Sequence, residues 1–233
     1  MNCTLIISRY NEDLSWLDSF NKYKIIIYNK GNEIDNSKYK NIFQLKNVGR
    51  ESQTWLYHIV NHYNDLDDIN VFLQGRIDDL GCMAYKDLSM YKRNIEKYGF
   101  IASRYGMLGP LHWGHNVGIE KDIRYKTNWE GGKISRSKIG FRKFAKNLFP
   151  EIPIFVKTSY GGCFSVTKDT IRQNDISIYK YLLDILSKHE NPIEGHYMER
   201  LWCYLFTKNN FLLQGFRDVL LTKYERFFNS LDL

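Results

Sequence analysis

The feature that most constrains this chain is the segment 47–75, which joins a glycine turn, an amphipathic helix and a short apolar run. Apolar residues recur at helical spacing within it, at Trp55, Leu56, Ile59 and Val60. This spacing predicts a helix over residues 50–63, and the following run predicts a buried strand over residues 70–74. Such a unit places backbone N–H groups of a helix N-terminus beside the carboxyl end of a parallel strand, where open α/β sheets bind phosphate-bearing ligands.

Further apolar runs predict buried strands over residues 3–9, 24–28 and 41–45, with a helix over residues 13–20 between the first two. The first run is rich in β-branched residues, which favours a central, parallel position in the sheet. The order β-α-β-β-α-β predicts a Rossmann-like α/β domain with a mostly parallel central sheet flanked by helices.

The alternation of predicted strands and helices becomes less regular in the middle of the chain. We expect one domain made of a nucleotide-binding half (1–103), an insertion over the site (104–157) and an acceptor-side half (158–233). Further strands are predicted over residues 100–103 and 159–167. Further helices are predicted over residues 86–97, 138–148, 176–188 and 194–207, with an aromatic, amphipathic tail beyond them.

Charge and cysteine content narrow the classes of ligand and compartment. The 233 residues carry a net charge of +7, which fits an anionic ligand such as a nucleotide diphosphate, and fits equally a composition rich in Lys throughout. The four cysteines are widely spaced, which favours free thiols in a reducing compartment. The sequence has no signal peptide and no apolar run of membrane-spanning length, so we expect a cytoplasmic protein.

Four polar clusters follow predicted strands or open predicted helices, and the fold would bring them to one edge of the sheet. They are Arg9, Asn11, Glu12 and Asp13; Asn47, Gly49, Arg50 and Glu51; Gln74, Gly75, Arg76, Asp78 and Asp79; and Tyr160, Gly161, Gly162, Glu194, His196, Glu199 and Arg200.

The first two clusters suit a nucleotide. Residues 9–12 can hydrogen-bond a base and a ribose, although they also fit the first turn of a capped helix. Asn47 is a good N-cap, and Arg50 can bind a diphosphate in a bidentate manner. The alternative for this second cluster is a capped surface helix with an Arg–Glu pair.

The last two clusters contain residue types suited to metal binding, acceptor binding and catalysis. Asp78 and Asp79 can hold a divalent cation that bridges a diphosphate, or can lie in a solvated turn. Gly161 and Gly162 allow close approach of an acceptor. Glu199 is the candidate general base, and the alternative is a solvated acid beside Arg200. His196 suits a metal ligand less well than a helix-start histidine.

Five motifs resemble a family catalogued as a domain of unknown function, with members in fungi, algae, bacteria and large DNA viruses. They are RYNEDLSWL from Arg9, YNKG from Tyr28, NVGRES from Asn47, FLQG from Phe72 and ERLW from Glu199. The resemblance covers residues 5–206. This family is in turn similar to GT-A glycosyltransferases, which share the order of strand, Asn-x-Gly helix, strand, acidic motif and late catalytic acid.

The resemblance implies an enzyme that transfers a sugar from a nucleotide-diphosphate-sugar donor to a hydroxyl of a glycan or glycoconjugate, with Mn²⁺ or Mg²⁺ as the implied metal. The implied donor-binding residues are Arg9, Asn11, Glu12, Asn29, Asn47, Arg50, Gln74 and Gly75. The implied acceptor-side residues are Tyr160, Gly161, Gly162 and His196, with Glu199 as the base and Asp78 and Asp79 as metal ligands.

One departure leaves three alternatives open. Gln74 and Gly75 stand where a GT-A enzyme has its metal-binding acids. Either Asp78 and Asp79 substitute for them, or basic residues neutralise the diphosphate without a metal, or the fold persists without catalysis.

The alternative function is a non-catalytic binding protein whose basic face holds nucleic acid or an acidic glycan. The sequence feature behind it is the basic insertion 121–146, with Lys121, Arg124, Lys126, Lys133, Arg136, Lys138, Arg142, Lys143 and Lys146. Of the two functions we expect the glycosyltransferase, and therefore a nucleotide-sugar rather than nucleic acid as partner.

Overall fold

The structure is a computed structural model that describes residues 1–35, 37–77, 95–102, 105–108, 134, 139–153 and 155–208. The strands are β1 (Cys3–Arg9), β2 (Lys24–Asn29), β3 (Ile42–Gln44), β4 (Ile69–Gln74), β5 (Phe100–Ala102), β6 (Tyr105–Leu108), β7 (Val156–Ser159) and β8 (Phe164–Thr167). The helices are a 3-10 helix (Ser15–Phe20), α1 (Arg50–His62), α2 (Ile95–Tyr98), α3 (Phe141–Leu148), α4 (Lys168–Arg172), α5 (Ile176–Leu186) and α6 (Ile193–Thr207).

Six strands form the central sheet in the order β3-β2-β1-β4-β8-β5. The first four are parallel, with Ile6 of β1 opposite Ile26 of β2 and Phe72 of β4. β8 runs antiparallel to both β4 and β5. β6 and β7 pair separately as an antiparallel ribbon. The predicted α/β class and the mostly parallel sheet are therefore confirmed.

Both faces of the sheet are apolar because the strands are covered on both sides. Successive residues of a strand point to opposite faces, so Ile6 joins one buried cluster while Leu5 and Ile7 join the other. The first cluster packs β1, β2, β4 and β8 against α1, α5 and α6. The second packs the opposite face against the 3-10 helix, through Leu17 and Phe20 among others.

Three predicted elements differ from the structure. The helix expected over residues 13–20 is a 3-10 helix over Ser15–Phe20. The strand expected over residues 159–167 is shortened to β8 (Phe164–Thr167), because Ser159 ends β7 of the other sheet and both glycines between the two strands have positive φ and turn the chain. The N-cap of α1 is Gly49 and not Asn47, and Gly49 holds a left-handed conformation with no side-chain cap.

Cysteine chemistry also differs from expectation at one position. Cys3 and Cys203 are free thiols, as predicted. Cys163 is disulfide-bonded, so the prediction of a free thiol is wrong for this residue. Within the described parts of the chain, no helix has the length and apolar character needed to cross a membrane.

Candidate functional site

The carboxyl edge of the parallel strands collects most of the predicted site residues. β1 ends at Arg9, β2 at Asn29 and β4 at Gln74. The chain passes from β1 to β2 on one side and returns through α1 to β4 on the other. The carboxyl ends of β1 and β4 therefore flank a topological switch point, which is where open α/β sheets bind ligands.

Arg9 joins the loops that follow β1 and β2. Its Nε donates to the Glu12 carbonyl at 2.9 Å, and its Nη1 donates to Asn29 Oδ1 at 2.8 Å and to the Asn32 carbonyl at 3.0 Å. Asn11 Oδ1 accepts from the Asn32 N–H at 2.8 Å. The structure therefore brings Arg9, Asn11 and Asn29 together, with these contacts holding the two loops to each other.

Glu12 reaches across from the β1 loop to the end of β4. A Cβ built on Gly75 would lie 2.7 Å from Glu12 Oε2, so only glycine lets the carboxylate pack this closely. The same oxygen accepts the Tyr10 N–H at 2.6 Å. Trp16 fixes the other side of this segment, because its Nε1 donates to the Gly75 carbonyl at 2.8 Å.

A cleft of about 670 Å³ opens between the 3-10 helix and the segment after β4. Its lining residues are Glu12, Asp13, Ser15, Trp16, Ser19, Phe20, Gly75, Arg76 and Ile77. Of these, Glu12 and Gly75 were predicted as donor-binding residues. The sequence placed Trp16 only within the predicted helix 13–20 and the RYNEDLSWL motif, because its contact with Gly75 joins residues far apart in sequence.

The Gly161–Gly162 turn lies beside the end of β4, because β8 pairs antiparallel with β4 from Phe164 onward. Gln74 Nε2 donates to the Gly161 carbonyl at 3.1 Å. The Gly161 N–H donates to Glu199 Oε1 at 2.8 Å. Trp55 Nε1 donates to the Gly162 carbonyl at 2.9 Å. Side chains from β4, α6 and α1 thus hold one turn.

Glu199 is anchored on α6 and remains partly open to solvent. Its side chain is 24% exposed, and its Oε2 lies 3.6 Å from Nη1 of the buried Arg200. That guanidinium also donates to the His196 carbonyl at 2.9 Å and lies 5.9 Å from the centre of the Tyr160 ring. The predicted residues Tyr160, Gly161, His196 and Glu199 are therefore neighbours.

The N-terminus of α1 also reaches this edge, but it is less open than the sequence suggests. The Gly49 N–H donates to the His189 carbonyl at 2.8 Å, so it is already used within the protein. Glu51 follows, and its Oε1 lies 3.1 Å from where a Cβ on Gly162 would be. Arg50 is exposed and lies 3.6 Å from Glu51, which matches the Arg–Glu pair of the alternative interpretation.

Lys30 lies beneath this helix end, and sequence reasoning missed it. Its buried Nζ donates to the Val48 carbonyl at 2.6 Å and to the Arg50 carbonyl at 2.5 Å. Burial lowers the pKa of Lys30 to about 7, and the charge of Glu51 opposes that shift. In the sequence, a Lys next to a glycine is typical of a turn, so no local pattern predicts this contact.

The remaining predicted residues are placed differently. Asn47 is exposed, and it lies before the helix cap and not at it. Asp78 and Asp79 lie outside the described residues. Most of the basic insertion 121–146 also lies outside them. Among the residues that the structure describes, no group of three His, Cys, Asp or Glu side chains could hold a metal ion.

Comparison with known proteins gives a family but no activity. A search of curated proteins found no match. The family described as "Protein of unknown function (DUF3431)" matches residues 5–216, which is most of the sequence. The resemblance in the motifs is thus confirmed at the level of an uncharacterised family, and this chain belongs to the DUF3431 family.

Proposed function

We propose that this protein is a glycosyltransferase that moves a sugar from a nucleotide-diphosphate-sugar donor to an acceptor hydroxyl. The observation that carries the proposal is the coincidence of the 670 Å³ cleft with the switch point between β1 and β4. A cleft at this edge is the expected place for a nucleotide-bearing ligand in an open α/β sheet.

The donor would lie over the loops that follow β1 and β2. Arg9 fixes these loops, and Asn11 and Glu12 offer acceptors for donors on a nucleoside. Asn29 contributes by holding the second loop, since its Nδ2 donates to the Asn32 carbonyl at 2.8 Å. Arg50, exposed at the start of α1, would pair with the diphosphate in a bidentate manner.

Glu199 would act as the general base that takes the proton of the acceptor hydroxyl. Its Oε1 is held by the Gly161 N–H, which fixes the carboxylate, and a quarter of the side chain remains accessible. Gly161 is part-exposed and has no side chain, so an acceptor can approach the backbone closely there. General-base catalysis of this kind requires the base within hydrogen-bond reach of the hydroxyl.

The implied Mn²⁺ or Mg²⁺ does not fit the described residues alone, because they supply no cluster of three acidic or imidazole ligands. The proposal assigns cation binding to Asp78 and Asp79, which directly follow the described end of this segment at Ile77. No step of the proposed reaction is therefore routed through a metal.

Thermal stabilisation by donors tests the proposal. Purified protein is melted with UDP-, GDP- and ADP-sugars, each with Mn²⁺, with Mg²⁺ and with EDTA. A ligand that binds only the folded state at 100 times its Kd adds about 2.7 kcal/mol, or roughly 5–10 °C for a chain of this size. We expect one nucleotide class to give such a shift and to release its nucleoside diphosphate.

Two results would contradict the proposal. The first is the absence of any shift or hydrolysis across the whole panel. The second is binding of single-stranded nucleic acid or heparin that collapses with salt while every nucleotide-sugar is ignored, because that pattern belongs to a basic binding face.

A further inference from the structure

The cleft between the 3-10 helix and residues 75–77 has a lining that is unlike a phosphate site. The charged groups among its described lining residues are the carboxylates of Glu12 and Asp13 and the guanidinium of Arg76. Two negative charges against one positive charge disfavour an anion. Its volume of about 670 Å³ is nevertheless in the range of small-molecule sites.

Trp16 gives this cleft a fixed aromatic wall. Its indole N–H is used by the Gly75 carbonyl at 2.8 Å, and its ring meets Phe20 edge-on at 5.8 Å between centroids. These two contacts fix the ring while the side chain stays partly exposed in the cleft. The face of a fixed indole is apolar and electron-rich, and it attracts the C–H bonds of a saturated ring.

The two carboxylates are held in place as hydrogen-bond acceptors. Asp13 accepts from the Ser15 N–H at 3.0 Å and from Ser15 Oγ at 2.5 Å, and these bonds lower the pKa of Asp13. Glu12 is held by the Tyr10 N–H. Ionised carboxylates only accept hydrogen bonds, so their ligand must supply donors such as hydroxyl groups.

We propose that this cleft is a subsite for a neutral, hydroxyl-bearing sugar ring that stacks on Trp16 and donates hydrogen bonds to Glu12 and Asp13. The phosphates of a ligand would lie outside it. The inference rests on the proposed function, since the ring belongs to a substrate of the same transfer. That ring is the ribose of the donor, the transferred sugar or a sugar of the acceptor, and the three share this chemistry.

Two substitutions at Trp16 distinguish the loss of ring stacking on the indole from the loss of its structural hydrogen bond to Gly75. Trp16→Ala and Trp16→Phe both lose the hydrogen bond to Gly75, but only the first loses the aromatic face. Ligand-observed NMR titrations would use methyl glycosides of glucose, galactose and mannose, uridine, guanosine, uracil, UDP and GDP. We expect Trp16→Ala to raise the Kd of a neutral ring-bearing probe about tenfold, and Trp16→Phe to keep it within about threefold.

A charge variant gives a second readout that does not depend on Trp16. Asp13 is exposed, so the fold should tolerate Asp13→Asn. This variant should weaken the neutral probe, because one acceptor pair becomes part donor, and should tighten inorganic pyrophosphate, which carries no ring, because one negative charge is removed. A merely structural effect would move both affinities in the same direction.

The pattern of probe binding identifies which sugar ring occupies the cleft, and it also defines the results that overturn the inference. Dependence on Trp16 for methyl glycosides indicates a hexose, and dependence for uridine or guanosine but not uracil indicates the ribose. The inference is overturned if no neutral ring-bearing probe binds, if uracil shows the same dependence as uridine, or if the Ala and Phe variants weaken binding equally. Failure of the transferase proposal looks different, because nucleotide-sugars would then neither stabilise the protein nor be consumed, whatever the neutral probes do.

Discussion

Gly49 shows how one residue sets the position of a helix end at the carboxyl edge. It holds φ of +64°, and the next residue, Arg50, holds φ of +51°. A Cβ on Gly49 would lie 2.4 Å from the Leu186 carbonyl. Both its conformation and its packing against the end of α5 therefore require glycine. The sequence marked this glycine as a turn before a helix, but it could not show that the neighbour is α5 and not a ligand.

A pair of facing glycines tests this residue-scale account. Gly49→Ala should lower the free energy of unfolding by roughly 1–2 kcal/mol or more, since left-handed strain and a clash act together. Gly195, in α6, is the matched control, because among the described residues a Cβ there meets just the Gly49 carbonyl, at an ordinary 3.9 Å. Gly195→Ala should be neutral or stabilising by up to about 1 kcal/mol. Equal losses for the two variants in urea denaturation would contradict the account.

At the scale of elements, α1 serves two roles, since its first turn reaches the Gly161–Gly162 turn and its middle builds the core. Its buried stripe includes Trp55, Leu56 and Ile59, as the periodicity predicted, but also His58. The His58 ring is 3% exposed, and its Nδ1 lies 3.0 Å from the Tyr28 hydroxyl. Burial, with a smaller contribution from His62, lowers the pKa of His58 to about 3.

This buried histidine predicts a loss of stability in acid. In the unfolded chain His58 takes up a proton below about pH 6.5, while in the folded protein it does so only near pH 3. Its contribution is therefore complete above pH 6.5 and falls as pH decreases towards 3, by roughly 2 kcal/mol at pH 5. His58→Gln should flatten the curve of unfolding free energy between pH 7 and 5.

The control for this prediction is on the same helix. His62 is part-exposed and pairs with Asp65 at 3.2 Å, so His62→Gln should keep most of the pH slope. Urea midpoints at pH 7, 6 and 5 measure all three proteins. A slope for His58→Gln equal to that of the wild type would show that the ring is not held neutral.

Element boundaries show where the sequence could and could not predict the fold. The strands β1, β2 and β4 were predictable, because each is a short apolar run followed by polar residues. The run over residues 159–167 was not, since apolar periodicity carries no information on the φ angles of Gly161 and Gly162. Those two angles separate Ser159, the last residue of β7, from β8, and the two strands pair in different sheets.

At the scale of the whole molecule, the candidate site depends on strand order. The alternation of elements predicted the parallel half of the sheet and the gathering of residues after β1 and β4. It did not predict that β8 would insert beside β4, which is what carries Gly161 and Glu199 to Gln74. Such pairings join segments about ninety residues apart along the sequence, and no local pattern encodes them.

The absence of a local pattern for long-range contacts also explains which site residues the sequence did not predict. Trp16 and Lys30 each gain their role from a partner on another segment: the Gly75 carbonyl and the Val48 carbonyl, respectively. Their types suit several environments, so only the tertiary fold distinguishes them. By contrast, Arg9 ends the central strand β1 and Glu12 lies in the loop after it, and strand-end position alone was enough to predict both as candidate site residues.

Donor turnover with and without the Glu199 carboxylate shows whether this protein transfers a sugar with Glu199 as its base. Glu199→Gln keeps an oxygen for the Gly161 N–H, so the turn should persist, but it removes the base. Glu190→Gln, at an exposed acid in the loop before α6, is the matched control. For the nucleotide-sugar that stabilises the protein, nucleoside diphosphate release is followed with acceptor present, and donor Kd is measured separately.

The account predicts that the wild type and Glu190→Gln consume the donor, while Glu199→Gln loses about a hundredfold or more in turnover with donor Kd within about twofold. Turnover by Glu199→Gln at the wild-type rate would remove Glu199 as the base. No donor consumption by the wild type would contradict the transferase itself.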